Sequence, residues 1–234
     1  MARRRVPSFE RVERLLREEH GSPRHYNKRD PLSELVFILL STQTREKEYR
    51  RTFAALWMRF RSWRRVLAAD DAELQKLVHS GGFARRKVRL LKALLGSIAE
   101  DRGVVSLRHL ASVPDEPALK ELLSLPGVGM KTAKCVLMYA LDRAALPVDT
   151  HVWRISKRLG WMDGGKHPDD RRSLRLEARV PPALRSSLHV TLVAHGRSVC
   201  RARPRCEACV LSGCCPSSSR GQNRGQAVAA SPAR

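Results

Sequence analysis

The stretch Leu125-Pro126-Gly127-Val128-Gly129-Met130-Lys131-Thr132-Ala133 decides how this chain is read. Upstream, Ala118 to Ser124 is spaced as a helix. Pro126 cuts that helix, two glycines turn the chain, and a second helix restarts and runs to Leu141. Glycine accepts a left-handed turn and lets a ligand approach bare backbone. The N–H groups that open the second helix then point outward, a ready site for an anion such as phosphate. A lone G-x-G usually marks only a turn. A dinucleotide-binding reading fails, because no strand precedes these glycines and the third glycine of that pattern is missing.

Outward from the hairpin, the chain keeps a helical period. Phe9, Val12 and Leu16 form one apolar stripe, Phe53, Leu56, Trp57 and Phe60 a second, and Val88, Leu91, Leu95 and Ile98 a third. Val152, Ile155 and Leu159 mark another helix, and Pro182 to Gly196 one more. Breaks at Asp30-Pro31, Val113-Pro114-Asp115 and Gly164-Gly165 separate them, and strand alternation is lacking. The expectation is an all-α fold with these stripes in its core.

Composition narrows the partners. The 234 residues carry 45 Lys+Arg against 23 Asp+Glu, a formal charge of +22. Thirty-five of the basic residues are arginine, whose fork suits phosphate oxygens. Surplus positive charge of this size favours polyanions, and counterion release drives such binding whatever the base sequence. No apolar run exceeds the six residues Leu35 to Leu40, far short of the roughly 20 a spanning helix needs, so membrane insertion is excluded as an expectation. The start, Met1-Ala-Arg-Arg-Arg5, runs into Glu10, Glu13, Glu18 and Glu19, unlike an acid-poor transit peptide. A cytoplasmic, nucleoid-associated location is expected.

Two constellations carry chemistry. Lys131 directly follows the hairpin, and eighteen residues later comes Pro147-Val148-Asp149-Thr150-His151, where Asp149 taken alone reads as a helix N-cap. Five of six cysteines fall between Cys200 and Cys215, the wrong distribution for a disulfide framework. Cys200, Cys206, Cys209 and Cys215 are spaced Cys-x5-Cys-x2-Cys-x5-Cys, which suits either an iron–sulfur cluster or a tetrahedral zinc, and Cys214 offers a second choice of fourth ligand.

Taken in order, LPGVGxKTA, VDTHVxR, HGRxxC and the cysteine cluster resemble the endonuclease III family of the helix-hairpin-helix DNA glycosylase superfamily, over roughly residues 8 to 216. The resemblance implies a two-lobed helical fold: a six-helix barrel over residues 24–143 carrying the hairpin, and an iron–sulfur lobe built from residues 1–23 and 144–216. Residues 217–234 are expected to form a basic, disordered tail. It implies a [4Fe–4S] cluster on Cys200, Cys206, Cys209 and Cys215, although the first gap is one residue shorter than the family's usual interval. Arg201, Arg203 and Arg205, interleaved there, are expected to clamp phosphate.

By the same resemblance Lys131 is the nucleophile that attacks the sugar C1′ and forms a Schiff base, and Asp149 assists that attack. Gln43, at the end of the LLSxQ-like Leu39-Leu40-Ser41-Thr42-Gln43, fills the space of a flipped base. Phe83, in Gly82-Phe83-Ala84-Arg85-Arg86-Lys87, wedges between bases, with Arg85 and Lys87 beside it on DNA. Gly127, Val128 and Gly129 bind the backbone phosphate. Adenine-removing relatives lack the lysine and carry Glu five positions before the glutamine, where this chain has Ile38. Lys134 replaces a usual Asn and Ala84 a usual Tyr, departures that bear on potency.

The implied activity is excision of oxidised pyrimidines from duplex DNA with cleavage at the resulting abasic site, by a monomer. The competing expectations are a DNA-binding module without chemistry, and an abasic-site lyase without base excision.

Overall fold

The computed structural model describes residues 5–23, 25–79, 83–165 and 167–218. From residue 219 onward the expected tail lies outside the described residues, as does Gly82 of the Phe83 loop. Among the described residues there is no strand. The α-helices are α1 (Phe9–His20), α2 (Pro31–Ser41), α3 (Glu46–Phe60), α4 (Trp63–Ala68), α5 (Asp71–Val78), α6 (Ala84–Arg102), α7 (Asp115–Ser124), α8 (Met130–Tyr139), α9 (Thr150–Arg158), α10 (Asp170–Arg179) and α11 (Arg185–Ser198). They divide into two compact units, one over His25–Arg143 and one combining Met1–Arg24 with Ala144–Arg234.

In the His25–Arg143 unit, α2 is the central helix. Asp30 caps it, its Oδ2 accepting from Ser33 N at 2.9 Å, and Pro31 opens the first turn where no intrahelical donor is needed. A helix apolar on every side must be enclosed, and α2 packs against α3, α6 and α8. Val88, Leu91, Leu95 and Ile98 of α6 are all buried, as their spacing predicts. Trp57 departs from its stripe. It is 39% exposed and lies against Trp63, which takes the interior place and donates from Nε1 to Ser33 Oγ at 3.0 Å. Helix α7 begins three residues earlier than the sequence spacing predicts. Pro117 falls in its first turn, where proline is tolerated, behind Asp115 and Glu116 at the positive end of the helix dipole.

The second unit is built on α1 packed against α11, with α9 against α11 on another side. Val12, Leu16, Val152, Ile155, Leu159, Leu188 and Leu192 share its core. Trp161 ties in the chain start, donating from Nε1 to the Pro7 carbonyl at 2.8 Å while its ring meets Phe9 at 4.6 Å. The segment expected as one helix from Pro182 divides into a short 3-10 turn, Pro182–Leu184, followed by α11.

Candidate nucleic-acid interface and cysteine site

The hairpin needs its first glycine for two independent reasons. Gly127 has φ of +75°, and a Cβ there would sit 2.5 Å from Leu90 Cδ1. Val128 N closes the turn on Leu125 O at 3.1 Å, and Gly129 becomes the N-cap of α8 without a side chain to cover the helix end. The first intrahelical bond is Ala133 N to Gly129 O at 3.0 Å, so the N–H groups of the first turn precede the helix's own ladder. Lys131 stands exposed in that turn, with half-buried Lys134 one turn on.

Two loops of the same unit present side chains from strained backbone. Gln43 (φ +53°) follows the end of α2, and Phe83 (φ +52°) precedes α6; both are left-handed and neither is glycine. Such positions cost roughly 1–3 kcal/mol and gather at functional sites. Phe83 is 61% exposed, which removes the reading that it packs beneath its own loop. Beside it opens a cavity of about 790 Å³ walled by Lys76, His79, Arg85 and Arg86.

Lys87 departs from its expected place on DNA. It is 5% exposed, and its ammonium donates to Leu40 O at 2.9 Å and to Thr44 Oγ1. Burial lowers its pKa. The amine is therefore spent tying α6 to both sides of the Gln43 loop, because the first turn of α6 points position 87 at α2 while position 85 faces solvent.

Glu34, which the sequence reading passed over, is fully buried on α2. Its carboxylate accepts from Lys28 N at 2.6 Å and from Asn27 Nδ2, holding the chain that leads into the helix. Burial pushes it up to about 7 against the pull of those bonds and of the positive charges of Lys131 and Lys28. A single charge inside the apolar run Pro31 to Leu40 was the signal available in the sequence.

In the other unit Asp149 does cap α9. Its Oδ1 accepts from both His151 N and Val152 N at 2.8 Å, so the cap uses one carboxylate oxygen and Oδ2 takes no part in it. The structure explains why VDTHVxR and HGRxxC occur together. Arg154 Nη2 donates to His151 Nδ1 and to Gly196 O, both at 3.0 Å, and Arg154 Nε donates to Cys200 O at 3.0 Å. A Cβ at Gly196 would stand 2.7 Å from His151 Nδ1. An arginine has only donors, so His151 Nδ1 accepts and its proton sits on Nε2. Arg154 thus joins the turn of Asp149 to the entry of the cysteine loop, a role that spacing alone did not reveal.

The loop itself gathers thiols. Burial pushes Cys209 up to about 11, and the neighbouring Cys200, Cys215 and Cys206 raise it further. Cys215 is raised likewise, by burial and by Cys200, Cys206 and Cys214. Cys214 is buried in the same core as Cys200, its Sγ donating to Leu211 O at 3.5 Å. Such a set becomes thiolate only when a positive centre arrives to compensate it. Sulfur donors gathered in one loop that influence one another in this way fit a thiolate-bound metal centre.

Around them the arginines face carbonyls. Arg158 donates to Cys200 Sγ at 3.1 Å, to Arg201 O at 2.7 Å and to Ala202 O at 2.9 Å. Arg201 and Arg205, expected to clamp phosphate, donate to Arg197 O and Ser198 O at the end of α11. His195 stands beside them, its Nε2 lying 3.3 Å from Cys209 Sγ and its Nδ1 3.1 Å from His20 Nε2.

Comparison with known proteins agrees with this geometry. The family pattern of the HhH-GPD superfamily base excision DNA repair proteins matches residues 36–182. Endonuclease III of Thermotoga maritima is 33% identical over 206 residues, 87% of this chain and 92% of its own length. An Arabidopsis thaliana protein named as a DNA glycosylase is 36% identical over 71% of this chain, which spans 56% of that relative. The solved structure of a trapped endonuclease III–DNA covalent intermediate superposes with a TM-score of 0.72 at 27% identity, covering 92% of this chain and 99% of the other.

Proposed function

This chain belongs to the HhH-GPD superfamily of base excision DNA repair proteins, and from that premise we propose that it is a bifunctional enzyme, both glycosylase and abasic-site lyase. DNA glycosylase is the class the family gives; the lyase step and a preference for oxidised pyrimidines are our reading. The observation that carries it is the station of Lys131, exposed in the first turn of α8 directly behind a hairpin whose capping Gly129 has no side chain to accept from the first-turn N–H donors. A phosphate on those donors would hold the sugar of a neighbouring nucleotide within reach of an amine on the same turn.

The chemistry follows from the residue types. A base flipped out of the duplex leaves a gap for Gln43, while Phe83 parts the step beside it. The Lys131 amine adds its lone pair to C1′, the bond from C1′ to the base breaks, and the base leaves with a proton. Ring opening gives a Schiff base between Lys131 and C1′. Loss of a C2′ proton then expels the 3′ phosphate and cuts the strand. Asp149, with Oδ2 outside the cap, supports positive charge on the sugar. Arg85, Gly127, Val128 and Gly129 position the backbone; Lys87 acts on DNA only through the Gln43 loop it holds.

We assign Cys200, Cys206, Cys209 and Cys215 as ligands of a [4Fe–4S] cluster, supported by kinship with endonuclease III and by the mutual influence of these thiols. When bound, that cluster cross-links the loop between Cys200 and Cys215. The substrate is double-stranded DNA holding damaged bases or abasic sites, met by a monomer in the cytoplasm.

Borohydride trapping tests the proposal on duplexes containing thymine glycol, dihydrouracil or a plain abasic site. Wild type should be trapped on all three, and Lys131→Ala on none. Trapping confined to the abasic site would leave a lyase without base excision. A Lys131→Ala protein that is still trapped would overturn the assignment of the nucleophile.

A further inference from the structure

We propose that His195 hydrogen-bonds the Cys209 thiolate of the cluster, and that His20 is the positioning residue that makes it do so. The inference rests on the iron–sulfur reading of the cysteine loop. Its ground is a chain of three side chains brought together from distant parts of the sequence. Cys209 Sγ lies 3.3 Å from His195 Nε2, and His195 Nδ1 lies 3.1 Å from His20 Nε2. His195 is fully buried. Sulfur flanks one of its nitrogens and a second imidazole the other, and we take this enclosed ring in its neutral form, with one proton.

A neutral imidazole has one donor and one acceptor nitrogen, and its neighbours decide which is which. A thiolate can only accept. With the proton on Nε2, His195 gives an N–H to Cys209, and its Nδ1 lone pair accepts from His20. With the proton on Nδ1, the Nε2 lone pair would face the negative sulfur at the same distance. His20 selects between the two arrangements by presenting N–H at Nε2. It can take this part because Gly21 ends α1 behind it, leaving its half-buried ring against α11.

Hydrogen bonds to cluster sulfurs draw off negative charge and favour the more reduced form. Cys200 receives the corresponding bond from Arg158 at 3.1 Å, so two of the four assigned ligands have a hydrogen-bonding neighbour. The Arg158 bond has a donor that cannot reverse. The His195 bond depends on His20, and that dependence makes it testable.

The experiment compares purified wild type with His20→Leu, which removes the donor, and His20→Gln, whose amide N–H can replace it. The readouts are iron per chain, visible cluster absorbance, cluster reduction potential by voltammetry and far-ultraviolet circular dichroism. His20→Leu should load iron and keep its helices, yet its oxidised-to-reduced ratio at fixed potential should rise roughly fivefold, the equivalent of one hydrogen bond. His20→Gln should return to wild type. An unchanged potential in His20→Leu would overturn the inference, and so would a His20→Gln protein shifted as far as His20→Leu, since packing alone would then account for both. A wild type without iron or visible absorbance overturns the cluster reading itself, an outcome no variant can imitate.

Discussion

Basic side chains serve opposite ends at different places in the molecule. Around Cys200, Arg154, Arg158, Arg201 and Arg205 all donate to main-chain carbonyls. In the His25–Arg143 unit, Arg85, Arg86 and Lys131 stand exposed beside a hairpin and a strained loop. A charge bound to carbonyls stabilises a loop and is a poor ligand for phosphate. An exposed charge can meet an anion at lower cost than one bound to carbonyls. The net charge of +22 therefore overstates the charge presented to DNA.

If that contrast holds, inward charges should be read out in stability and outward ones in DNA binding. Arg154→Ala should have the largest effect, because it breaks three hydrogen bonds at 3.0 Å, to Gly196 O, to Cys200 O and to the His151 ring. A loss of roughly 3 kcal/mol in urea unfolding is expected. A loss below about 1 kcal/mol would mean that water replaces the guanidinium readily.

Glu34 is an inward charge of the His25–Arg143 unit and sharpens the rule. Its pKa is raised from its ordinary value to about 7, so the folded state holds the proton more tightly than the unfolded chain. That contribution is complete below the unfolded value, near 4.3, and is lost as pH rises through about 7. Wild type should lose on the order of 3 kcal/mol across that window, and Glu34→Gln should lack the slope. Equilibrium unfolding at several pH values between those limits decides it. Equal slopes in the two proteins would remove Glu34 from the account.

The smallest effect on stability belongs to Phe83→Ala. With the side chain 61% exposed, unfolding should move by about 0.5 kcal/mol or less, while affinity for a damaged duplex falls measurably in a titration. A variant that loses stability and keeps affinity would reverse the assignment of that loop.

Much of this was legible from the chain. Helical spacing placed Val12, Leu16, Leu91 and Leu95 in the core, since a period of 3.6 leaves a helix one face to bury. The glycines at 127 and 129 marked a hairpin because little else fits there. Asp149 read as a cap from its neighbours alone, and it is one. The misreadings share a cause. Lys87 and Arg85 look alike as letters in one basic loop, yet one turn of α6 sends the first into the interior and the second to solvent. Trp57 fitted a stripe but yielded the inner position to Trp63. Glu34 and His20 gave no motif of their own, and Arg154 stood only as the last letter of VDTHVxR.

The helical fold class, the hairpin, the Asp149 cap and the order of the motifs could be read from the chain, because each depends on residues within a few positions of one another. Which basic side chains bind carbonyls and which histidine meets which follow from the packing of distant segments. Those outcomes depend on partners as far apart as His20 and His195, and on which groups lose their water when the helices close.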